Sequence, residues 1–296
     1  MKKLVPTFLF YFYSILIFSQ YGLKQYGPSA FQEIIQTQDS SLLIIGTRSG
    51  SAAWLIKMDM NQNILWQKAY KGPAGELTNA YKIIENADST LFILGSTLSA
   101  SQFPDLFGWL IKLDKSGNVL WNKVYKQSTQ LYTLCKNGSN GYFLGGTALP
   151  FGASNNGIVI KIAGNGNYLE DLEYSVSNQT HIKYLELLQD SSLLIIGRAN
   201  VIGAGFQGLF FIRRKTDGSE MYRITYNTDY RESDYPTTPY QYPLNPIKKN
   251  NGNYLLVNAK SYIPDCLLLE FDPIGKIIST KVYGAESKNE FPLGIK

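Results

Sequence analysis

A run of seventeen residues that nearly repeats itself constrains the fold of this chain more than any other feature. Trp54-Leu-Ile-Lys-Met-Asp-Met-Asn-Gln-Asn-Ile-Leu-Trp-Gln-Lys-Ala-Tyr70 returns as Trp109-Leu-Ile-Lys-Leu-Asp-Lys-Ser-Gly-Asn-Val-Leu-Trp-Asn-Lys-Val-Tyr125. Weaker copies occupy 158–174, 210–226 and 266–283, and the closing residues Tyr70, Tyr125, Tyr174, Tyr226 and Tyr283 are spaced by 55, 49, 52 and 57 positions. A unit of about fifty residues is the scale of one supersecondary element that must stack on its neighbours to bury its faces.

Each unit contains four short apolar runs, here lettered A to D. The B runs are Ser41-Leu-Leu-Ile-Ile-Gly46, Leu91-Phe-Ile-Leu-Gly95, Tyr142-Phe-Leu-Gly-Gly146, Ser192-Leu-Leu-Ile-Ile-Gly197 and Tyr254-Leu-Leu-Val257. A runs such as Phe31-Gln-Glu-Ile-Ile35 and Ala80-Tyr-Lys-Ile-Ile84 precede them across tight polar turns, and the repeated Trp-type segment supplies C and D. Runs of this length, rich in β-branched and aromatic residues and bounded by Gly, Asn, Asp and Ser, predict strands. Inner strands apolar on both faces need a neighbour on each side. A sandwich would show cleaner alternation, and a parallel β-helix a shorter period. The pattern therefore predicts an all-β propeller of four-stranded antiparallel blades. Five complete units run over about 31–70, 79–125, 129–174, 182–226 and 243–283. Segments 21–27 and 289–296 read as a D end and an A start of a partial sixth blade.

Residues 1–19 open with Lys2 and Lys3, continue in the apolar stretch Leu4 to Phe18 and end at Ser19. This is the pattern of a secretory signal peptide. The competing reading is a membrane anchor, but about fifteen apolar residues fall short of the roughly twenty a spanning helix needs, and no cysteine near the cut points to a lipid anchor. The propeller domain is then 20–296, with no membrane span after signal removal, and the expected location is secreted or cell-surface, with the periplasm as a further option. Loss of the two lysines lowers the formal charge from +5 to +3, too weak a field to argue for nucleic acid or an anionic membrane.

The two cysteines, Cys135 and Cys266, lie in units two apart and read as buried free thiols, a disulfide being the alternative. The one histidine, His181, has no Cys or His neighbour, so no metal site is expected and it reads as an ordinary loop residue. No cofactor motif, nucleophile elbow or phosphate loop is present.

The 109–125 unit resembles the repeat of secreted Bacteroidetes-type propeller proteins. That resemblance implies export and a propeller fold, and leaves the activity open, since most such proteins have none assigned. A looser likeness, through Asp114, Gly117 and Trp121, is to the repeat of PQQ-dependent dehydrogenase propellers, although the Asp-to-Trp interval is one residue shorter here. It implies the fold only and transfers no active-site residue.

Asp59-Met-Asn-Gln-Asn63 has the oxygen-rich look of a calcium loop, but equivalent stretches recur between C and D in every unit, and a hairpin turn explains them all. Lys57, Lys112, Lys161 and Arg213, with Glu270 in the fifth unit, share one position and are expected to make interblade ion pairs or to snorkel outward. Trp54, Trp66, Trp109 and Trp121 are expected to fill the wedges between blades. Length varies instead in the B to C and D to A connections, which leave a blade from one edge. These carry Phe103 and Phe107, and, on the long 227–242 insertion, Tyr230, Arg231, Asp234, Tyr235 and Tyr240. Tyrosine faces with polar tips beside carboxylates suit carbohydrate or a surface protein. The function expected is a noncatalytic binding or scaffold propeller working through this face. The alternative is a hydrolase or lyase acting on a polysaccharide through paired loop-face carboxylates.

Overall fold

The computed structural model describes residues 29–48, 52–73, 77–99, 106–138, 141–149, 155–177, 179–201, 206–215, 217–231, 244–260 and 265–283. The signal segment and both half-blade segments lie outside them. Among the described residues, twenty strands form five four-stranded antiparallel sheets. The first holds β1 (Ser29–Gln36), β2 (Leu42–Arg48), β3 (Ala52–Met58) and β4 (Ile64–Tyr70). The second holds β5 (Leu77–Glu85), β6 (Leu91–Leu98), β7 (Leu106–Leu113) and β8 (Val119–Gln127). The third holds β9 (Thr129–Lys136), β10 (Gly141–Ala148), β11 (Asn156–Ala163) and β12 (Tyr168–Tyr174). The fourth comprises β13 (Thr180–Leu187), β14 (Leu193–Val201), β15 (Phe206–Arg214) and β16 (Glu220–Arg231), and the fifth β17 (Ile247–Lys248), β18 (Tyr254–Lys260), β19 (Asp265–Phe271) and β20 (Ile277–Tyr283).

Each sheet pairs its strands in chain order, so every sheet is a meander and its apolar inner strands have two faces to bury. The cores accordingly lie between sheets. Leu43, Ile45 and Leu55 of the first sheet close on Ile93, Trp109 and Ile111 of the second. Phe92, Leu94 and Leu110 close on Leu144, Ile158 and Ile160. Phe143 and Val159 meet Ile195, Phe210 and Ile212, and Leu194, Ile196 and Phe211 meet Tyr254, Leu256 and Phe271. Burial of each such side chain stabilises the fold by roughly 1.5–3 kcal/mol, and removing one blade would strip a face from both neighbours.

First strands surround the axis. Lys82 on β5 donates to Glu33 on β1 at 3.1 Å and to Asn245, just before β17, at 3.2 Å, joining the inner ends of the first, second and fifth sheets. The last strands form the rim, where Leu65, Leu120, Leu169, Met221 and Ile278 are exposed.

The repeated motif clamps one blade to the next. Tyr70 on β4 donates its hydroxyl to the Gly117 carbonyl at 2.8 Å, and Tyr125 on β8 does the same to Gly166. Lys68 and Lys123 donate to the carbonyls of Ser116 and Asn165 in the same turns. Trp66 and Trp121 lie over these glycines so closely that an added Cβ would sit 3.0 Å from each ring. The turns between C and D are hairpins: Asp59 accepts from Gln62 N and donates its own N–H to Asn63 O, both at 3.0 Å. A positive φ falls at the fourth residue in every unit, at Gln62, Gly117, Gly166, Gly218 and Gly275. Trp109 is fully buried between the first two sheets, and Trp54 is buried on the other face of the first.

The charged position on the C strands differs from expectation. Its pairs lie within a blade, reaching across strand B to the turn between A and B: Lys57 to Asp39 at 2.6 Å, and Arg213 to Asp190. In the fifth blade the polarity is swapped, Glu270 accepting from Lys249 at 2.8 Å. The third blade has no acid in that turn, and Lys161 turns to Glu170 on its own D strand. The C strand crosses directly beside its own turn, so the nearest countercharge is in the same blade. Cys135 carries a free thiol, which burial pushes up to about 12.

Candidate binding site at the propeller axis

In four blades the first strand carries one residue more than its partner. Pairing steps from Phe31↔Gly46 to Glu33↔Ile45, from Ala80↔Gly95 to Lys82↔Leu94, from Leu131↔Gly146 to Thr133↔Gly145, and from Ile182↔Gly197 to Tyr184↔Ile196. The extra residues are Gln32, Tyr81, Tyr132 and Lys183, four β-bulges at one level around the axis. The glycine closing each B run allows the bulge. A Cβ on Gly95, Gly146 or Gly197 would lie 1.8, 1.9 or 2.2 Å from the carbonyl oxygen of Asn79, Gln130 or His181, two residues before the bulge. The fifth blade has Asn258 at that place.

The bulges bring an aromatic and cationic cluster together. Tyr81 and Tyr132 have ring centroids 5.3 Å apart, and Lys183 Nζ stands 3.2 Å from the centroid of Tyr132, a cation over an aromatic face. Tyr132 donates to Gln130 Oε1 at 2.5 Å, and the Tyr81 hydroxyl lies 3.3 Å from Ser96 Oγ. His181 Nδ1 is 2.7 Å from Thr147 Oγ1. Across the β13–β14 ladder His181 faces Arg198. Lys183 and His181 are buried, whereas Tyr81, Gln130 and Arg198 are partly exposed and form the accessible side.

Electrostatics here follow from burial. Loss of water, then the nearby Arg198, holds the Lys183 ammonium well below its usual range. Burial, followed by Lys183 and Arg198, lowers His181 to about 3, so the imidazole is neutral at ordinary pH. Both tyrosine hydroxyls are raised by burial. His181 is thus a strand residue inside the protein, not a loop residue: the apolar neighbours Ile182 and Leu185 pull this segment into β13.

The acids of the inner strands are occupied elsewhere. Glu33 accepts from Lys82 and from Ile83 N, Glu85 from Gln38 N, and Glu186 from Tyr184, Tyr254 and Lys248.

Of the loop-face residues singled out from sequence, Phe107 is partly buried near the start of β7, opposite Thr97 on β6. Tyr230 and Arg231 end β16, paired with Gln207 and Phe206. Phe103, Asp234, Tyr235 and Tyr240 lie outside the described residues. The axial cluster lies between the middle of the inner strands and the edge from which B to C and D to A connections leave, the same face. Sequence reasoning missed it because its members sit on strands. The available signal was a polar or aromatic residue inserted between apolar ones in each A run, opposite a B-run glycine.

No protein-family model and no curated protein matches the chain. Solved structures do. A protein of unknown function from Bacteroides caccae is 14% identical over 87% of this chain and 83% of its own, with a TM-score of 0.52. The GH93 α-L-arabinofuranosidase of Fusarium graminearum, solved with arabinobiose, is 9% identical over 87% of this chain and 81% of its own, with a TM-score of 0.56. At such identities the likeness speaks for architecture alone, and with the five meander sheets around one axis it makes this chain a β-propeller.

Proposed function

We propose that the chain is an exported, noncatalytic binding propeller whose ligand enters the axial mouth on the face of the B to C and D to A connections. The observation that carries this reading is the cluster of Tyr81, Tyr132, Lys183 and Arg198, held by bulges rather than by loops, since rigid strands position a site more sharply than surface segments. Among the described residues, the inner-strand acids Glu33, Glu85 and Glu186 are each committed to ties between or within blades, and the hydrolase alternative would need two carboxylates of the loop face directed at one bond. A saccharide is the ligand class to test first: phenol, amide and hydroxyl groups suit hydroxyl-rich rings, and a propeller of similar architecture has been seen with arabinobiose.

The test is pull-down of the mature protein on immobilised polysaccharides, with reducing ends measured in parallel. Retention without new reducing ends, weakened at least tenfold by Tyr81→Ala, is the expected result. Release of reducing ends would support the hydrolase reading instead. Intact mass of protein recovered from the medium checks export, with loss of 1–19 expected.

A further inference from the structure

The residues that end a D strand fasten each blade to the next, and the fifth blade is the exception. Tyr70 and Trp66 join the cluster that holds Trp109, Ile111 and Leu113 of the second blade's C strand, and Tyr125 and Trp121 join Ile158, Ile160 and Ile162 of the third. Tyr174 does the same with Phe210 and Ile212. These three tyrosines are buried, whereas Tyr283, which ends the fifth blade, is 52% exposed. The first blade's C strand is nevertheless covered, with Ile56 at 0% exposure and Met58 at 3%. Among the described residues, their cluster holds first-blade side chains alone. On the fifth blade, Leu255, Val257 and Leu268 alternate with the residues that face the fourth and stay partly exposed. The cover of the first blade therefore comes from elsewhere than the described fifth-blade strands.

We infer that residues 21–27 dock on the first blade and clamp its turn between C and D, Tyr26 donating to the Gln62 carbonyl and Lys24 to that of Asn61. Lys24-Gln-Tyr26 repeats Lys68-Ala-Tyr70 and Lys123-Val-Tyr125 of the two formed clamps. In those, the tyrosine hydroxyl donates to the carbonyl of the residue with positive φ. The lysine donates to the carbonyl one residue earlier and to the asparagine side chain one residue later. The first blade offers the same acceptors, with Gln62 at φ 65° between Asn61 and Asn63. A paired exchange of size supports the match. Trp66 and Trp121 lie over glycines that leave them room, whereas the first blade has Gln62 at that place, and the segment has Gly22 where the other clamps have tryptophan. A side chain gained on the turn is offset by one lost from the strand above it. The reach also fits, since Tyr26 precedes the bulge residue Gln32 by six positions and Tyr125 precedes Tyr132 by seven.

Exchanging the matched pair tests this in the mature chain. Gly22→Trp should lower the melting temperature by several degrees in the parent, because the indole meets Gln62. In a Gln62→Gly background it should leave the melting temperature unchanged or raise it, since the arrangement of Trp66 over Gly117 is then restored. Equal effects in both backgrounds would mean that the two positions do not touch and would overturn the inference. A second measurement does not depend on stability: Gly22→Cys with Gln62→Cys, in a chain carrying Cys135→Ala and Cys266→Ala, is treated with a short bis-maleimide. A link within one chain is expected, and none when Asn165→Cys supplies the second thiol instead. A link formed only between two chains gives the turn to a second copy. That result, the absence of any link, or equal linking of both pairs overturns the inference.

Discussion

His181 is the chain's one histidine, which makes its titration separable from everything else. Burial lowers it to about 3 against an ordinary 6.5. The unfolded chain takes up a proton near 6.5 and the folded one does not, so stability is whole above that pH and falls as the medium acidifies toward 3. Between pH 7 and pH 5 the expected loss is about 2 kcal/mol, read from urea denaturation at each pH. His181→Asn should flatten the curve in that window, and an unchanged slope would mean the imidazole protonates in the folded state. A second residue-scale test concerns the hairpin turns. Gln62 holds φ 65° where four sister units have glycine, so Gln62→Gly should stabilise by up to about 1 kcal/mol. Gly117→Ala meets the same backbone and places its Cβ 2.8 Å from the Tyr70 hydroxyl and 3.0 Å from Trp66. It should destabilise by about 1–3 kcal/mol, measured by thermal unfolding. The turns were legible in the sequence because Asn, Asp and Gly at fixed offsets announce positive φ. The state of His181 was not, because burial depends on which blade lies opposite.

At the scale of the strand, the glycine that closes each B run and the bulge it faces act as one device. Gly197→Ala would drive a Cβ to within 2.2 Å of the His181 carbonyl and 2.3 Å of the Phe210 ring. The bulge cannot persist against that, so the variant should lose about 1–3 kcal/mol and also the binding that Tyr81→Ala weakens. A variant that binds as the parent does would show that the bulge does not position the site. The clamp between blades gives a milder test. Tyr70→Phe removes one buried hydrogen bond to Gly117 and should lower stability by about 1 kcal/mol, with no effect on ligand affinity, because it lies at the rim. The B-run glycines stand plainly in the sequence, and so do the clamp tyrosines. The bulges do not, since an extra residue in one strand exists only relative to the register of its partner, and register is set by packing. The same holds for Lys57 and Arg213, whose partners Asp39 and Asp190 lie in turns of their own blades and not across an interface.

For the whole molecule, the fifty-residue period and two-faced strands carried enough information to specify radial stacking, and five interlocking sheets follow from them. The period also pointed to the face on which strand connections vary. Within that face the sequence singles out Phe107 and the tyrosines of the long insertion, because loops are where variation is visible along a chain. The axial cluster is assembled from second, third and fourth blades by a ring, and no stretch of sequence holds more than two of its residues. What a repeat conceals is the site, and here it stands on bulges that only the register of neighbouring strands makes visible. The most direct test is a crystal structure of the mature chain soaked with an oligosaccharide of whichever polysaccharide retains it. Density at the axis, with a sugar ring beside Tyr81, is the result expected. Ligand seated at the rim or on an outer strand, with the axial cluster unchanged, would contradict the account.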